Sequence, residues 1–347
     1  MYTPKFTITP KITQDVEKIG VVFGYFKAVQ LPENYRRELV SKVTAETVHA
    51  STAIEGNTLT QKQVDDVLSG RKIAAKDKEI KEVENYNKAL GDVQKLGKQK
   101  GFEIREQTVK DIHAILLKGI DDEIAVKYRT KQVYVGDYLP PEHFKVPSLV
   151  QELVTWINDP QPENLSPILY AGIAHYQFVA IHPFEDGNGR TTRLITTLML
   201  IQNDYDMVSF FAPESFYNRD RKAYYEALSS ADKYRIEGQS DLTRWLEYFA
   251  SGMLIEAERA KSRVEEMLQN KSMSGRQDYI SDNQRKMLNL AAKGAIKTAD
   301  ILQITGLSRK GVYNALEKLV QLGLLESVGV GKGTFYKITD KGLEYVR

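Results

Sequence analysis

The residues best suited to chemistry lie in one stretch, from His182 to Arg193, which reads His-Pro-Phe-Glu-Asp-Gly-Asn-Gly-Arg-Thr-Thr-Arg. His182 can accept a proton near neutral pH. Asp186 offers a hard oxygen ligand to Mg²⁺, a cation that usually accompanies a polyphosphate. A lone histidine or a lone Gly-Asn-Gly is ordinarily structural, but the combination has little structural reason to occur. The stretch therefore predicts a site for phosphate chemistry.

Two predicted helices must position this stretch. Ser166 is an N-cap before a first-turn proline, and apolar residues recur at helical spacing from Pro167 to about Val179. Thr191 to Gln202 predicts a second, mostly apolar helix. The stretch thus ends at a helix N-terminus, where the N–H groups of Gly187 to Thr191 can form a nest for an anion.

The glycines and arginines of the stretch make that nest suitable for binding a phosphate. Gly187 and Gly189 allow positive φ and a close approach of the backbone to a ligand. Arg190 and Arg193 are three positions apart, so they share a helix face beside the nest. Transfer of a phosphoryl-type group requires mainly positioning and charge neutralisation, and these residues supply both.

The stretch resembles, position for position, the motif of the Fic-domain family, His-x-Phe-x-(Asp/Glu)-Gly-Asn-Gly-Arg-x-x-Arg. Members of that family typically transfer AMP from ATP to a hydroxyl side chain of a protein. The resemblance implies that His182 is the general base, that Asp186 holds Mg²⁺ and that Phe184 anchors the loop in the core. The ATP-binding residues that it implies are Gly187, Asn188, Gly189, Arg190 and Arg193, the last of them at the γ-phosphate.

A short upstream motif lies at the end of a predicted helix that Pro32 opens and Gly56 closes. Ser51 and Glu55 are four positions apart and share a face of this helix. The segment resembles the (Ser/Thr)-x-x-x-Glu-(Gly/Asn) inhibitory motif of many Fic proteins. The resemblance implies that Glu55 pairs with Arg193 and blocks productive placement of the γ-phosphate. The alternative is a solvated glutamate before a helix stop.

Residue types alternate along the region from Tyr128 to Gly136, and turn residues follow it. This pattern predicts a short hairpin. In the Fic family a hairpin flap stands at this place in the sequence and holds the target segment by backbone pairing. The resemblance implies that Val133, Tyr134 and Val135 contact the target. An ordinary surface hairpin is the alternative.

Relatives often carry Asn-x-x-x-Tyr-Tyr after the main motif, with the asparagine near adenine. This chain has Asp220 at that spacing before Tyr224 and Tyr225. The resemblance implies that Asp220 belongs to the ATP site, although the substitution weakens that inference. Tyrosines that simply pack a helix are the alternative.

Residues 281–347 have a pattern of their own, which resembles a winged helix-turn-helix domain. Three helices, the third capped by Ser308, precede two strands, and Lys332 stands at the tip of the wing between them. The segment carries 11 basic against 6 acidic residues, which is a moderate attraction for phosphate. The side chains placed to contact DNA are Arg309, Lys310, Tyr313 and Asn314. Winged helices also serve as protein-docking modules, so both partners remain open.

Length and composition agree with a mainly α protein of several domains. We predict an N-terminal helical region over 1–99 with the inhibitory helix at about 32–56, a Fic-type helical bundle with a short β-hairpin flap over 100–270, and a small α+β winged-helix domain over 281–347. The 347 residues include no cysteine, which excludes disulfides and thiolate catalysis. No apolar run reaches the length of a membrane span and no signal-peptide pattern is present, so we expect a cytoplasmic protein without a membrane partner.

The overall prediction is an adenylyltransferase that uses ATP and Mg²⁺ to modify a hydroxyl of a target protein and of itself. Three alternatives remain open: another phosphate-containing donor, removal of AMP, and a transcription regulator that only senses ATP. A homodimer is possible, and the target is not readable from the residues.

Overall fold

The computed structural model describes residues 2–29, 31–159, 165–205, 209–231, 240–273, 280–329 and 334–346. The chain divides into two compact units, one up to Met267 and the other from Leu268. Its content of 66% helix and 4% strand confirms the mainly α fold class. Among the described residues, no helix combines the length and the apolar character that crossing a membrane requires. The predicted boundary at residue 99 stays a prediction.

Helices are the main secondary structure described in the first unit. They are α1 Pro10–Ala28, α2 Glu33–Ile54, α3 Gln61–Leu68, α4 Asp77–Gly97, α5 Glu106–Leu117, α6 Val146–Asn158, α7 Pro167–Ile181, α8 Asn188–Gln202, α9 Pro213–Arg219, α10 Arg221–Ser229 and α11 Thr243–Met273. A 3₁₀ turn at His143–Lys145 precedes α6.

The core of this unit is built on α7 and α8. Helix α7 is buried on every face, as expected of a helix that is apolar all round. It packs against α6 and α8, while α4 packs on another side of α8. The indole Nε1 of Trp245 in α11 donates to the carbonyl of Gly172 at 2.8 Å. The loop between α7 and α8 is therefore held at both ends by buried helices.

Helix α1 lies within the predicted N-terminal helical region, although residues 1–30 carry only a weak pattern in the sequence. Thr9 caps the helix by accepting from the N–H of Ile12. Its buried face contains Ile19, Val22, Phe23 and Phe26, which is helical spacing. Gly20 and Gly24 lie on the exposed face, and because glycine is unfavourable in helix interiors, they weaken the sequence signal for this helix.

Several predicted boundaries differ from the structure. Helix α8 begins at Asn188 rather than Thr191, because Gly187 takes φ of 78° and allows the helix to start within the motif. The helix predicted across 215–228 breaks at Asp220, which caps α10. The linker predicted from Lys271 is still helical to Met273, and 274–278 lie outside the described residues.

The predicted hairpin between Tyr128 and Gly136 is wrong in its extent. Val135 and Tyr138 form an isolated antiparallel bridge and exchange two backbone hydrogen bonds of 3.0 Å, but no strand extends from it. Pro140 and Pro141 have no N–H groups with which to continue a ladder. We call residues 131–141, which include the bridge, the flap segment.

The second unit follows the element order that the sequence predicted. Its elements are α12 Asp282–Ala291, α13 Thr298–Thr305, α14 Arg309–Gln321, β1 Leu325–Val328, β2 Phe335–Ile338 and α15 Asp340–Glu344. The two strands are antiparallel, with Leu325 opposite Ile338. A core that includes Met287, Leu316 and Leu319 joins the helices to the strands. The expected tip of the wing, Lys332, lies outside the described residues.

The packing of α4 on α8 predicts opposite effects for two glycines of one helix. A Cβ at Gly97 would lie 2.7 Å from Cγ2 of Ile201, whereas a Cβ at Gly91 would meet no atom within 4 Å. We expect Gly97→Ala to lower the free energy of unfolding by about 1–3 kcal/mol through overpacking. Gly91→Ala should raise it by about 0.5–1 kcal/mol through helix propensity. Urea titration of both variants tests this, and equal effects would contradict the packing.

Candidate active site

His182 ends helix α7 in a left-handed backbone conformation, with φ of 49° and ψ of 62°. Such a conformation is rare for a residue with a Cβ and persists only where the surroundings enforce it. Burial lowers the pKa of the His182 imidazole and Arg129 lowers it further, against a raising effect of the Val179 carbonyl. The imidazole is therefore neutral at pH 7, the state in which it can accept a proton.

The loop after His182 is closed by its own asparagine. Oδ1 of Asn188 accepts from the N–H of Phe184, and Nδ2 of Asn188 donates to the Phe184 carbonyl, both at 2.9 Å. Phe184 is fully buried, as expected of a residue that anchors the loop. The Asn188 side chain thus shapes the loop, and its expected contact with phosphate stays a prediction.

His113, which could be a packed or a surface residue from its sequence position alone, supports the loop between α7 and α8. Its ring stacks on Phe184 with centroids 3.7 Å apart. Nδ1 accepts from the N–H of Val126 at 3.2 Å, so the neutral ring carries its proton on Nε2 and donates it to the Asp186 carbonyl at 3.0 Å. His113 therefore fixes the backbone beside Asp186. Only its position on the apolar side of α5 hinted at this role.

Asp186 and Arg190 form an ion pair at the start of α8, with Nη2 of Arg190 3.0 Å from Oδ1 of Asp186. Glu82 of α4 lies 3.9 Å from the same buried guanidinium. Burial raises the pKa of Asp186, but Arg190 and the N–H of Gly187 outweigh it, so the pKa lies below its ordinary value. The carboxylate is ionised and half exposed.

The donor set fits Mg²⁺ only together with a substrate. Mg²⁺ is commonly held by one or two carboxylates plus phosphate oxygens and water. Asp186 provides one such carboxylate, and the part of the chain that the structure describes contains no cluster of three potential metal ligands.

Arg193 is buried and bound to the end of α2. Its Nη2 donates to Oε1 of Glu55 at 2.9 Å and to the Ser51 carbonyl at 3.0 Å, and its Nε donates to Oγ of Ser51 at 2.6 Å. Burial lowers the pKa of Arg193, but Glu55, Tyr224 and Tyr86 together outweigh burial, so the pKa lies above its ordinary value. Oε1 of Glu55 also lies in the space that a Cβ at Gly189 would need. A carboxylate therefore stands at the helix N-terminus where the sequence predicts a phosphate.

A cavity of about 820 Å³ opens beside these residues. Its lining brings together His182, Glu55, Asn188, Gly189 and Arg193. That volume falls within the range of small-molecule sites.

The bridge of the flap segment and two tyrosines also line the cavity. Val135 and Tyr138 line it from the flap segment, and Tyr224 and Tyr225 line it from α10. Tyr134, by contrast, is 73% exposed. Neither Val133 nor Tyr134 is part of the lining that the structure describes.

Asp220 is not brought to the cavity. Its Oδ1 accepts from the N–H of Ala223 at 2.9 Å and so caps α10. Aspartate is a preferred N-cap residue, so this role was readable from the sequence, and the expected place of Asp220 in the ATP site stays a prediction.

His175 is structural, as the sequence indicated. It is 1% exposed, and its ring nitrogens lie 3.0 Å from Oγ1 of Thr196 and 3.0 Å from the Tyr224 hydroxyl. Thr196 donates its own hydroxyl to the Thr192 carbonyl, so Nδ1 of His175 donates and Nε2 accepts. Both bonds need the neutral ring.

In the second unit, the predicted DNA-contacting residues stand together on α14. Arg309, Lys310, Tyr313 and Asn314 are all exposed, and Tyr313 is 59% exposed. The opposite face of α14 carries Val312 and Leu316 into the core. The exposed face of α14, which carries the four predicted DNA-contacting residues, is available to a partner.

Comparison with known proteins agrees with this site. Residues 103–200 match the Fic/DOC family. A protein adenylyltransferase Fic from Drosophila grimshawi is 33% identical over 197 residues, which are 54% of this chain and 38% of that protein. A relative of the same name from Drosophila virilis is 32% identical over 197 residues. The chain thus spans well under half the length of these curated relatives.

Solved structures cover more of the chain. A Fic family protein from Desulfovibrio desulfuricans is 28% identical with a TM-score of 0.68, and the match covers 98% of this chain and 99% of that one. Fic-1 from C. elegans is 26% identical with a TM-score of 0.62, over 74% of this chain and 73% of that one. The helical arrangement is therefore that of Fic structures.

The burial of His175 predicts a loss of stability in acid. Burial lowers its pKa to about 3, whereas an unfolded histidine titrates near 6.5. Between these values the unfolded chain binds a proton that the folded chain excludes, so stability is intact above pH 6.5 and falls as the pH drops toward 3. From pH 7 to pH 5 this group alone should cost about 2 kcal/mol.

The measurement is urea unfolding of His175→Gln and wild type at both pH values. The variant should lose less stability between them, and His143→Gln, at an exposed position, serves as the control. Equal losses in His175→Gln and wild type would contradict the assignment.

Proposed function

The chain contains a Fic/DOC-family domain at residues 103–200, and from this premise we propose that the protein is an adenylyltransferase that moves AMP from ATP to a hydroxyl of a target protein. The observation that carries the proposal is the neutral, partly buried imidazole of His182, which lines a cavity together with Arg193 and the N-terminus of α8. The cavity is large enough for a nucleotide, and the helix end and the arginine suit its phosphates.

In the proposed reaction the hydroxyl oxygen of the target attacks the α-phosphorus of ATP. The bond from that phosphorus to the bridging oxygen breaks, pyrophosphate leaves, and the hydroxyl proton passes to His182. Arg190 and Arg193 neutralise phosphate charge, and Asp186 holds Mg²⁺. When bound, Mg²⁺ supplies further positive charge against the phosphates. The modified hydroxyl belongs to Ser, Thr or Tyr, in a target or in the chain itself.

Glu55 restrains this reaction in the proposal. Its carboxylate is bound to Arg193 and fills the space above Gly189, so it stands where the γ-phosphate would be bound. ATP that enters beside it lacks the Arg193 contact, and its α-phosphate is turned away from in-line attack. A displacement of about 1 Å can cost ~100-fold in rate.

For the flap segment we propose contact with the target near Val133, Tyr134 and Val135. Val135 lines the cavity and Tyr134 is exposed beside it, so a target chain that reaches His182 must pass both.

For residues 281–347 we propose DNA binding through α14. The exposed group Arg309, Lys310, Tyr313 and Asn314 combines positive charge with side chains that hydrogen-bond bases or stack on them.

His182→Ala should abolish AMP transfer and leave ATP binding largely intact, because a general base acts on the incoming hydroxyl rather than on the nucleotide. Radiolabelled AMP transfer and equilibrium ATP binding measure the two effects separately. His143→Ala is the matched control at an exposed position. Transfer within tenfold of wild type would exclude His182 as the base.

Glu55→Gly should raise AMP transfer, including self-modification, by at least ~10-fold, because it frees Arg193 for the γ-phosphate. Arg193→Ala should not mimic it, since that change removes the phosphate contact as well, and the double variant should behave like Arg193→Ala. Glu38→Gly, at an exposed position of α2, is the matched control. An unchanged or lower rate in Glu55→Gly would mean that Glu55 does not inhibit.

The full chain should bind duplex DNA weakly, with an affinity that falls as salt rises. Fluorescence anisotropy at low and physiological salt measures this. A double change of Arg309→Ala and Lys310→Ala should remove the binding without altering AMP transfer. Absence of binding at low salt would favour protein docking by this unit.

A further inference from the structure

Arg129 is a buried arginine that neither the motif nor the proposed reaction uses. It is 2% exposed and lies between α5 and the flap segment. Its Nε donates to the His182 carbonyl at 2.8 Å, and its backbone N–H donates to the Pro183 carbonyl at 2.9 Å. One residue thus binds two consecutive backbone carbonyls at the left-handed turn of His182.

The other guanidinium donors of Arg129 reach the two ends of the flap segment. Nη1 donates to the Lys131 carbonyl at 3.1 Å, and Nη2 donates to the Pro141 carbonyl and, at 3.5 Å, to that of Ile181. A single planar group therefore joins the start of the flap segment, its end, and the end of α7.

These acceptors are all backbone carbonyls. Among the described ion pairs none involves Arg129, so its charge is balanced by the negative end of the α7 dipole and by carbonyl oxygens. Only a fork of several N–H groups can serve acceptors in so many directions, and the single ammonium of a lysine cannot. The arrangement is specific to arginine.

We propose that Arg129 is a positioning residue that binds the flap segment and the His182 turn into one unit, so that a target held by the flap segment is aligned with the imidazole. Tyr138 reinforces the link, since its hydroxyl donates to the Ala180 carbonyl at 2.9 Å. The expected effect of Arg129 on AMP transfer rests on the proposed function, whereas the expected link between the flap segment and the His182 turn does not.

The charge of Arg129 has a separate effect on His182. Burial is the main cause of the lowered pKa of His182, and Arg129 adds to it, while Glu55 at the end of α2 and Asp186 in the loop act in the opposite direction. Loss of the cation raises the pKa of the imidazole, whereas a lysine preserves the charge without the bonds. Arg129→Gln and Arg129→Lys therefore separate charge from geometry.

Amide hydrogen exchange tests the mechanical link without any assay of activity. In Arg129→Lys, exchange should rise by at least ~10-fold at residues 133–138 and at 182–187 together, and should not change in α4. Arg105→Lys, with 74% of its side chain exposed, is the control and should change neither segment. A rise in one segment alone, or in neither, overturns the proposal.

A second measurement covers the case in which Arg129 variants do not fold. In the wild-type chain under mild urea, the two segments should exchange through a shared opening with the same free energy and the same dependence on urea. Different opening free energies for the two segments overturn the link.

The kinetic arm uses the Glu55→Gly background. There Arg129→Lys and Arg129→Gln should each lower kcat by at least ~10-fold, and the ATP Kd should stay within about threefold. Only Arg129→Gln should shift the acid limb of the pH profile to higher pH. A parallel loss of ATP binding would show a general scaffold role and overturn the proposal. If Glu55→Gly itself transfers no AMP, the proposed function fails, and the exchange data still decide the link.

Discussion

The structure depends on the need to neutralise one buried cation. Arg193 is 2% exposed at the start of α8, and an unpaired charge in such a place costs several kcal/mol. An anion beside it therefore stabilises the folded chain. In the structure that anion is the Glu55 carboxylate, which α2 delivers together with the Ser51 hydroxyl and carbonyl. In the proposed function, a nucleotide phosphate would bind Arg193 by taking the place of Glu55, so the two would compete for a single guanidinium.

The supporting geometry follows from helices that leave little room for adjustment. Helix α7 is buried on all sides, and α4 approaches α8 so closely that Gly97 admits no Cβ beside Ile201. Gly172 of α7 likewise leaves no room for a Cβ, because the ring of Phe249 in α11 lies against it. Because these contacts fix both helices that flank the loop, the loop itself needs few bonds of its own. Asn188, His113 and Arg129 supply them from three directions.

How much could be predicted from the sequence depended on whether a feature is local. The stretch from His182 to Arg193 and the pairing of Glu55 with Arg193 were predictable, because short motifs carry residue types that chemistry restricts. His113 and Arg129 were missed, because their partners are backbone carbonyls far away in the sequence, which any residue can provide. The capping role of Asp220 was not anticipated, because the resemblance directed attention to an asparagine at that position rather than to the local capping preference of aspartate. The flap segment was predicted as a hairpin, since alternation alone does not reveal that prolines end the ladder.

The separation of Glu55 from Arg193 by 138 positions has a consequence for synthesis. A chain emerges from the ribosome N-terminus first, and its domains fold in that order. Helix α2, with its carboxylate, is therefore complete before the arginine of α8 has been translated. Arg193 can therefore enter the core only after Glu55 has been made. At no stage of synthesis is the arginine buried before its carboxylate exists.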